Sequence, residues 1–115
     1  MKIKDPELFR LIKVFLTVYL PKIRQKSINT VDSYRYAINL YLTHIQKSKA
    51  KKLKDIETVD FSQNDILEFM EWLKSSRDNE VTTINQRLSH IRSFCTYLVK
   101  NKKMEQADLN DIIEI

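Results

Sequence analysis

The sequence predicts an all-α domain, and three observations carry that prediction. The chain of 115 residues contains no Gly, where ordinary usage of roughly 7% would supply about eight. Tight hairpins and phosphate-cradling loops need Gly at positive φ or at close backbone approach, so composition disfavours both a hairpin-rich sheet and a Gly-rich nucleotide loop. Apolar residues recur at three- and four-residue steps through four stretches, the period of an amphipathic helix. Finally, 43% hydrophobic and 30% charged residues in 115 make one folded domain with a single core. Residues 1–115 are therefore read as one compact four-to-five-helix bundle.

The first helix is predicted from Pro6 to about Ile23. Pro6 suits the first turn and Asp5 its N-cap. Leu8, Ile12, Phe15, Leu16, Tyr19 and Ile23 form its stripe. Leu11, Val14 and Val18 lie outside that stripe, which predicts a second apolar surface on this helix. A second helix is expected to begin near Thr30, with Asn29 as N-cap and Asp32 three residues on. Val31, Tyr34, Ile38, Tyr41, Leu42 and Ile45 make its buried face. Residues 47–54 then place five Lys in eight positions with no amphipathic period, which reads as a loop.

Ser62 caps a third predicted helix, with Ile66, Phe69, Met70 and Leu73 as its stripe and Trp72 at the flank. A fourth starts at Thr82 or Thr83, and Ile84, Leu88, Ile91, Cys95 and Leu98 form its seam. Asn101 stands where a Gly usually closes a helix. The tail from Glu105 to Ile115 can form a short fifth helix through Leu109, Ile112 and Ile113.

Charge is zoned along these elements. Residues 1–54 carry 13 Lys/Arg against 3 Asp/Glu, and residues 55–80 carry 2 against 8. Residues 81–104 carry 5 basic residues and no acid, while residues 105–115 carry 4 acids and no base. A bundle that gathers the two basic segments on one side presents the electrostatic footprint of a nucleic-acid binder.

The leading candidates lie on the polar side of the fourth helix: Thr82, Thr83, Asn85, Gln86, Arg87, His90 and Ser93. Gln86, His90 and Ser93 project opposite the seam. Gln and Asn can pair bidentately with adenine and Arg with guanine, while Ser, Thr and the helix N-terminus suit phosphate. The bland alternative is a solvated helix face. From the first basic zone come Lys26, Asn29, Thr30, Ser33, Arg35, Tyr36 and Asn39, and from its lysine run Lys49, Lys51 and Lys52 as a backbone clamp. The run's alternative is a flexible solvated loop.

Other chemistry finds no support. His44 and His90 stand at no metal-ligand spacing with Cys95 or a carboxylate pair, so neither metal nor cofactor is expected. Cys95 sits in a buried seam, and Asp65, Glu68 and Glu71 read as a solvated acidic stripe. No nucleophile, base and oxyanion site converge, so no enzymatic activity is expected of this chain. One Cys suits a reducing compartment, and there is no run of 18 apolar residues and no signal-peptide core. A cytoplasmic, nucleoid-associated location away from membranes is expected.

From Val14 to Met104 the sequence resembles the N-terminal SAM-like, core-binding domain of tyrosine recombinases of the phage-integrase type. The resemblance rests on four stretches in order: Phe15 to Leu20, Thr30 to Tyr34 leading to Tyr41-Leu42, Ile66 to Leu73, and Thr83 to Leu98. The last is the most specific, with its Thr-Ile-Asn start, then Arg-Leu-Ser, Arg-Ser-Phe and Tyr-Leu. Asn101 replaces the family's usual Gly, and Gln106-Ala107-Asp108 stands near the place of its usual Asn-Pro.

The resemblance implies double-stranded DNA as partner, with the second and fourth helices facing it. It also implies neighbouring recombinase subunits in a synaptic assembly, an isolated domain that is monomeric, and a role in DNA integration and recombination by a mobile element. The family's catalytic Arg, Lys, His and Tyr belong to a following domain that this chain does not reach, so no tyrosine here is assigned as nucleophile. The alternative is a helical protein-interaction module with no DNA role.

Overall fold

The computed structural model describes residues 2–115, which form five α-helices and no strand among the described residues. Helix α1 (Pro6–Val14) opens as its sequence predicts, with Pro6 in the first turn and the Asp5 carboxylate accepting from the Leu8 amide at 3.2 Å. It runs without a break into a π-helical segment, Phe15–Ile23. Pro21 lies inside that segment and accounts for it. A proline has no N–H to donate and its ring collides with the carbonyl four residues back in an α-helix, a clash that wider winding relieves. Beyond it the Arg24 amide reaches the Tyr19 carbonyl at 2.8 Å, a five-residue step.

The wider turn rotates the buried face. Leu8, Leu11, Phe15, Leu16 and Leu20 are core, Ile12 and Tyr19 are half-buried, and Ile23 is 62% exposed. This corrects two expectations: Leu11 belongs to the main core, and Ile23 does not.

Helix α2 (Ile28–Ser48) is capped by Ser27, whose hydroxyl accepts from the Thr30 amide at 3.2 Å. Asn29, expected as the cap, is already helical. Ser27 holds the extended backbone that a cap needs and its oxygen meets the orphan amide. Helix α3 (Gln63–Ser75) is capped by Ser62 as expected, through the Asp65 amide at 3.1 Å. Helix α4 (Val81–Lys100) begins at Val81, just ahead of the expected start, and α5 (Gln106–Ile113) is the short fifth helix.

Helix α4 is central, packed by α2, α3 and α5. Phe61, Phe69 and Phe94 pack with Tyr41, Ile38, Ile66, Leu73 and Ile91 at the middle of the core. Cys95 is fully buried there, and burial pushes its thiol up to about 12, which makes it an inert packing group. Leu109 and Ile112 are buried as well. They complete the core against α3 and α4. The Arg92 guanidinium donates to the carbonyls of Ile113 and Ile115 and holds the end of α5.

The lysine run lies mostly in the expected loop between α2 and α3, but ion pairs tie it into the fold rather than leaving it free. Lys47 and Ser48 finish α2, and Leu53–Asp55 forms a 3-10 turn. Lys49 Nζ lies 2.6 Å from Asp60 Oδ1 and 3.0 Å from Asp65 Oδ2, while Lys51 Nζ lies 3.0 Å from Asp60 Oδ2. Asp60 also accepts from the Glu57 amide at 2.8 Å, and its carbonyl accepts from the Tyr41 hydroxyl at 2.6 Å. A second knot ties the chain start to both ends of the bundle. The Thr58 amide and hydroxyl donate to Asp5, and Lys103 pairs with Asp5 at 2.8 Å.

Without Gly, the connections place Gln25, Ala50, Asp78 and Lys102 at positive φ. Lys102 (φ 59), rather than Asn101, takes the left-handed position after α4, while the Asn101 side chain donates to the Tyr97 carbonyl at 2.9 Å. A Cβ in that region costs about 1 kcal/mol. Ala50→Gly is therefore expected to stabilise the domain by about 1 kcal/mol and raise the melting temperature by about 3–5 °C, read by thermal denaturation.

The Asp60 side chain is fully enclosed. Burial pushes its pKa up, but the Glu57 amide with Lys49 and Lys51 more than offsets this and holds it below the ordinary 3.8. Its stabilisation is present above about pH 4 and is lost as pH falls through the depressed folded value. Asp60→Asn is expected to cost about 2–3 kcal/mol at pH 7 and to flatten the acid limb of a urea-denaturation series.

Candidate nucleic-acid interface

The candidate residues of α4 do not all face outward. The Phe94–Tyr97 side of the helix packs against α2 and the π-helical segment, so the buried arc is wider than the seam alone. His90, expected on the far side, is 8% exposed, with its ring 4.2 Å from that of Tyr34. Ser93 is half-buried and accepts from the Tyr34 hydroxyl at 3.4 Å. Both residues join α4 to α2, which corrects their placement on a free polar face. The exposed ridge is instead Thr82, Asn85, Gln86, Ser89, Thr96 and Lys100. Residues 81–104 hold no acid, so the ridge carries hydrogen-bonding groups in a positive setting. Ser89, Thr96 and Lys100 were not among the sequence candidates. The signal for them was the three- and four-residue step from Gln86 through Ser89 and Ser93 to Lys100.

At the N-terminal end of the ridge, α2, α3 and α4 meet in a set of cation–aromatic contacts. Tyr36 on α2 is 46% exposed, as expected. The Arg87 guanidinium lies 4.7 Å from the centre of its ring, and Arg77 donates to its hydroxyl at 3.4 Å. Arg77 also lies 5.5 Å from the Trp72 ring centre, and Lys47 Nζ 5.6 Å from it. Such contacts are worth about 0.5–1 kcal/mol each where exposed. Here they hold Arg87, half-buried with its Nε enclosed, in a fixed orientation. Arg77, in the turn after α3, was not among the sequence candidates. Its role depends on a Tyr and a Trp far away in sequence.

The remaining α2 candidates divide. Arg35 pairs with Asp32 at 2.6 Å on the exposed surface. Ser33 turns its hydroxyl to the Asn29 carbonyl at 3.1 Å, and Thr30 accepts from the Ser27 hydroxyl at 3.0 Å. Asn29 and Asn39 are exposed. Lys26 is exposed just before the helix. Thr83 is half-buried at the start of α4. Of the three clamp lysines, Lys49 and Lys51 are committed to Asp60 and Asp65, and Lys52 alone is exposed without an ion pair among the described residues. The clamp as expected is therefore not formed, because the acids of the α3 approach draw two of its lysines into the fold.

At the other end of the ridge, Lys100 faces Arg24 and Lys26 across a cleft lined by Tyr19, Tyr34 and Tyr97. From Arg87 to Lys100 is thirteen positions, about 20 Å of helix. That exceeds the roughly 12 Å width of a B-DNA major groove. The two cationic ends can therefore reach separate phosphate tracks. Among the described residues, no group of His, Cys, Asp and Glu converges as a metal site.

A sequence model of the phage integrase N-terminal SAM-like domain matches residues 12–102. The chain belongs to that family. The match takes in the π-helical segment and helices α2, α3 and α4, and so covers both ends of the ridge, while α5 lies beyond it. No curated protein and no solved structure matches the chain. Membership agrees with the all-α architecture, and no helix of the integrase domain is long and apolar enough to cross a membrane among the described residues.

The buried His90 gives this helix pair a pH signature. Burial first, and the Arg87 charge second, hold its pKa below the ordinary 6.5. The unfolded chain then binds the proton more readily, so stability is full above about pH 6.5 and declines as pH falls towards the depressed folded value. His90→Phe keeps a ring on Tyr34 and removes the proton. It is expected to flatten part of the decline between about pH 7 and pH 5, read by urea denaturation, with the remainder belonging to buried His44, whose pKa is likewise lowered by burial.

Proposed function

We propose that this domain binds double-stranded DNA along the α4 ridge and adjoining α2, and so positions a phage or mobile-element tyrosine recombinase on its core site for integration and recombination. The observation that carries the proposal is the acid-free ridge with a preorganised Arg87–Tyr36–Arg77 cluster at one end and the Arg24, Lys26 and Lys100 group at the other. Cations that neutralise phosphates release condensed counterions and supply most of the affinity. In this reading Arg87 and Gln86 on the first turns of α4 meet base edges, and Thr82 and Asn85 meet the DNA backbone. The domain's part in this reading is positioning rather than catalysis, and its setting is cytoplasmic and nucleoid-associated.

Contacts with neighbouring recombinase subunits belong to the same proposal. Exposed apolar groups remain on elements other than the ridge: Val18 on the π-helical segment, Ile113 on α5, and Ile3 beside Leu53. The isolated domain is read as monomeric, with assembly requiring the whole recombinase on DNA.

A mobility-shift titration across salt concentrations tests the DNA role. With about five phosphates neutralised, log K is expected to fall against log salt with a slope near −4 to −5. A slope near zero would support a protein-interaction module instead. Arg87→Ala is expected to cost about 1–3 kcal/mol on a cognate duplex and less on random DNA. Lys49→Ala with Lys51→Ala is expected to lower the melting temperature, since both lysines serve Asp60.

A further inference from the structure

The cleft at the C-terminal end of the ridge differs from the rest of the basic surface. It encloses about 340 Å³ between the π-helical segment, the start of α2 and the last turns of α4. No acidic residue lines it, and Arg24, Lys26 and Lys100 have no ion-pair partner among the described residues. Its wall is aromatic: the rings of Tyr19 and Tyr97 lie 4.6 Å apart, and Tyr34 closes the α2 side. Lys100 Nζ lies 5.1 Å from the centre of the Tyr19 ring, at the junction of the charged rim and the aromatic wall.

Size decides which anion suits this place. At about 30 Å³ per water, the cleft holds the equivalent of roughly eleven waters, several times what a lone phosphate displaces. A cationic rim over an aromatic wall matches a ligand with an anionic end and a flat, polarisable body. Stacking of a base on such rings is worth about 1–3 kcal/mol and needs the base to be free of its duplex neighbours. A fully paired duplex offers phosphates here but no base face.

We propose that this cleft holds one unpaired nucleotide, its base against Tyr19 and its phosphate on Arg24, Lys26 and Lys100. The inference rests on the DNA-binding reading above and adds to it a single-stranded ligand. The domain would thereby hold a strand end or an extruded nucleotide beside the duplex bound on the ridge.

The test is titration of the chain with a 5′-phosphorylated DNA trinucleotide carrying 2-aminopurine, whose fluorescence is quenched on stacking, in parallel with a blunt duplex. Saturable quenching is expected. Lys26→Ala with Lys100→Ala, both at exposed positions, is expected to weaken trinucleotide binding at least about tenfold and to weaken duplex binding as well, because both lysines belong to the cationic end of the ridge. Tyr19→Leu, accepted only if it melts like the parent, is expected to abolish quenching. If it does not fold, the lysine pair alone gives the answer. Quenching unchanged by the lysine pair overturns the proposal, as does displacement of the trinucleotide by an equal concentration of inorganic phosphate. Duplex binding without trinucleotide binding overturns this inference and leaves the DNA role standing. Trinucleotide binding without duplex binding upholds the cleft and removes the duplex reading.

Discussion

The packing of Phe15 is the constraint on which the rest of the domain depends. Its ring centre lies within 6 Å of four others: Tyr19 on its own segment, Tyr34 on α2, and Phe94 and Tyr97 on α4. Phe94 passes the contact to Phe61, and Phe61 to Tyr41 at the centre of the core. Aromatic pairs prefer defined edge and offset geometries, so this chain of rings fixes how α2 and α4 lie against each other. Phe15 also opens the π-helical winding that accommodates Pro21. That winding brings Leu20 into the core beside Phe15, where a straight α-helix would present Tyr19 and Ile23 instead. Tyr34, held by Phe15 on one side and His90 on the other, joins α2 to α4 between the two ends of the proposed DNA surface.

Charge is sorted by the same arrangement. The basic residues of the first half do not act as one patch, because the acids that follow them take some out of circulation. Asp60 and Asp65 absorb Lys49 and Lys51, Asp5 absorbs Lys103, and Asp32 absorbs Arg35. Among the cations that keep no acidic partner in the described residues are Arg24, Lys26, Arg77, Arg87 and Lys100, beside α4. An exposed ion pair adds little stability, yet it removes a cation from the pool available to phosphate. The enclosed Asp60 carboxylate, by contrast, holds the α2–α3 connection together.

Much of this was legible in the amino-acid sequence, and the unread parts share a cause. The α-helical class, the caps Asp5 and Ser62, the seam of α4 and the exposure of Tyr36 follow from local spacing, and the structure agrees. The caps of α2 and the end of α4 were misread because Ser27, Asn29 and Thr30 are all competent cap residues, and because Lys102 is an unusual left-handed residue. Neighbouring positions of similar chemistry decide such cases only through backbone geometry. The larger misses were long-range. Nothing near His90 announces that Tyr34, 56 positions earlier, covers it, and nothing near Lys49 announces Asp60 across a turn. Arg77 acquires meaning only when Tyr36 and Trp72 are brought beside it. Helical periodicity locates a buried stripe but not its width, which depends on how many neighbours a helix has.

The central claim is that the α4 ridge and its two cationic ends, rather than the acidic outer elements, meet DNA. Its most direct test is a map of backbone amide chemical shifts for the chain titrated with a blunt duplex. The account predicts shifts at Arg24, Lys26, Tyr36, Arg77 and along Thr82 to Lys100, with the outer turns of α3 and α5 unmoved. Shifts concentrated on α3 and α5, or none at low salt, would contradict it.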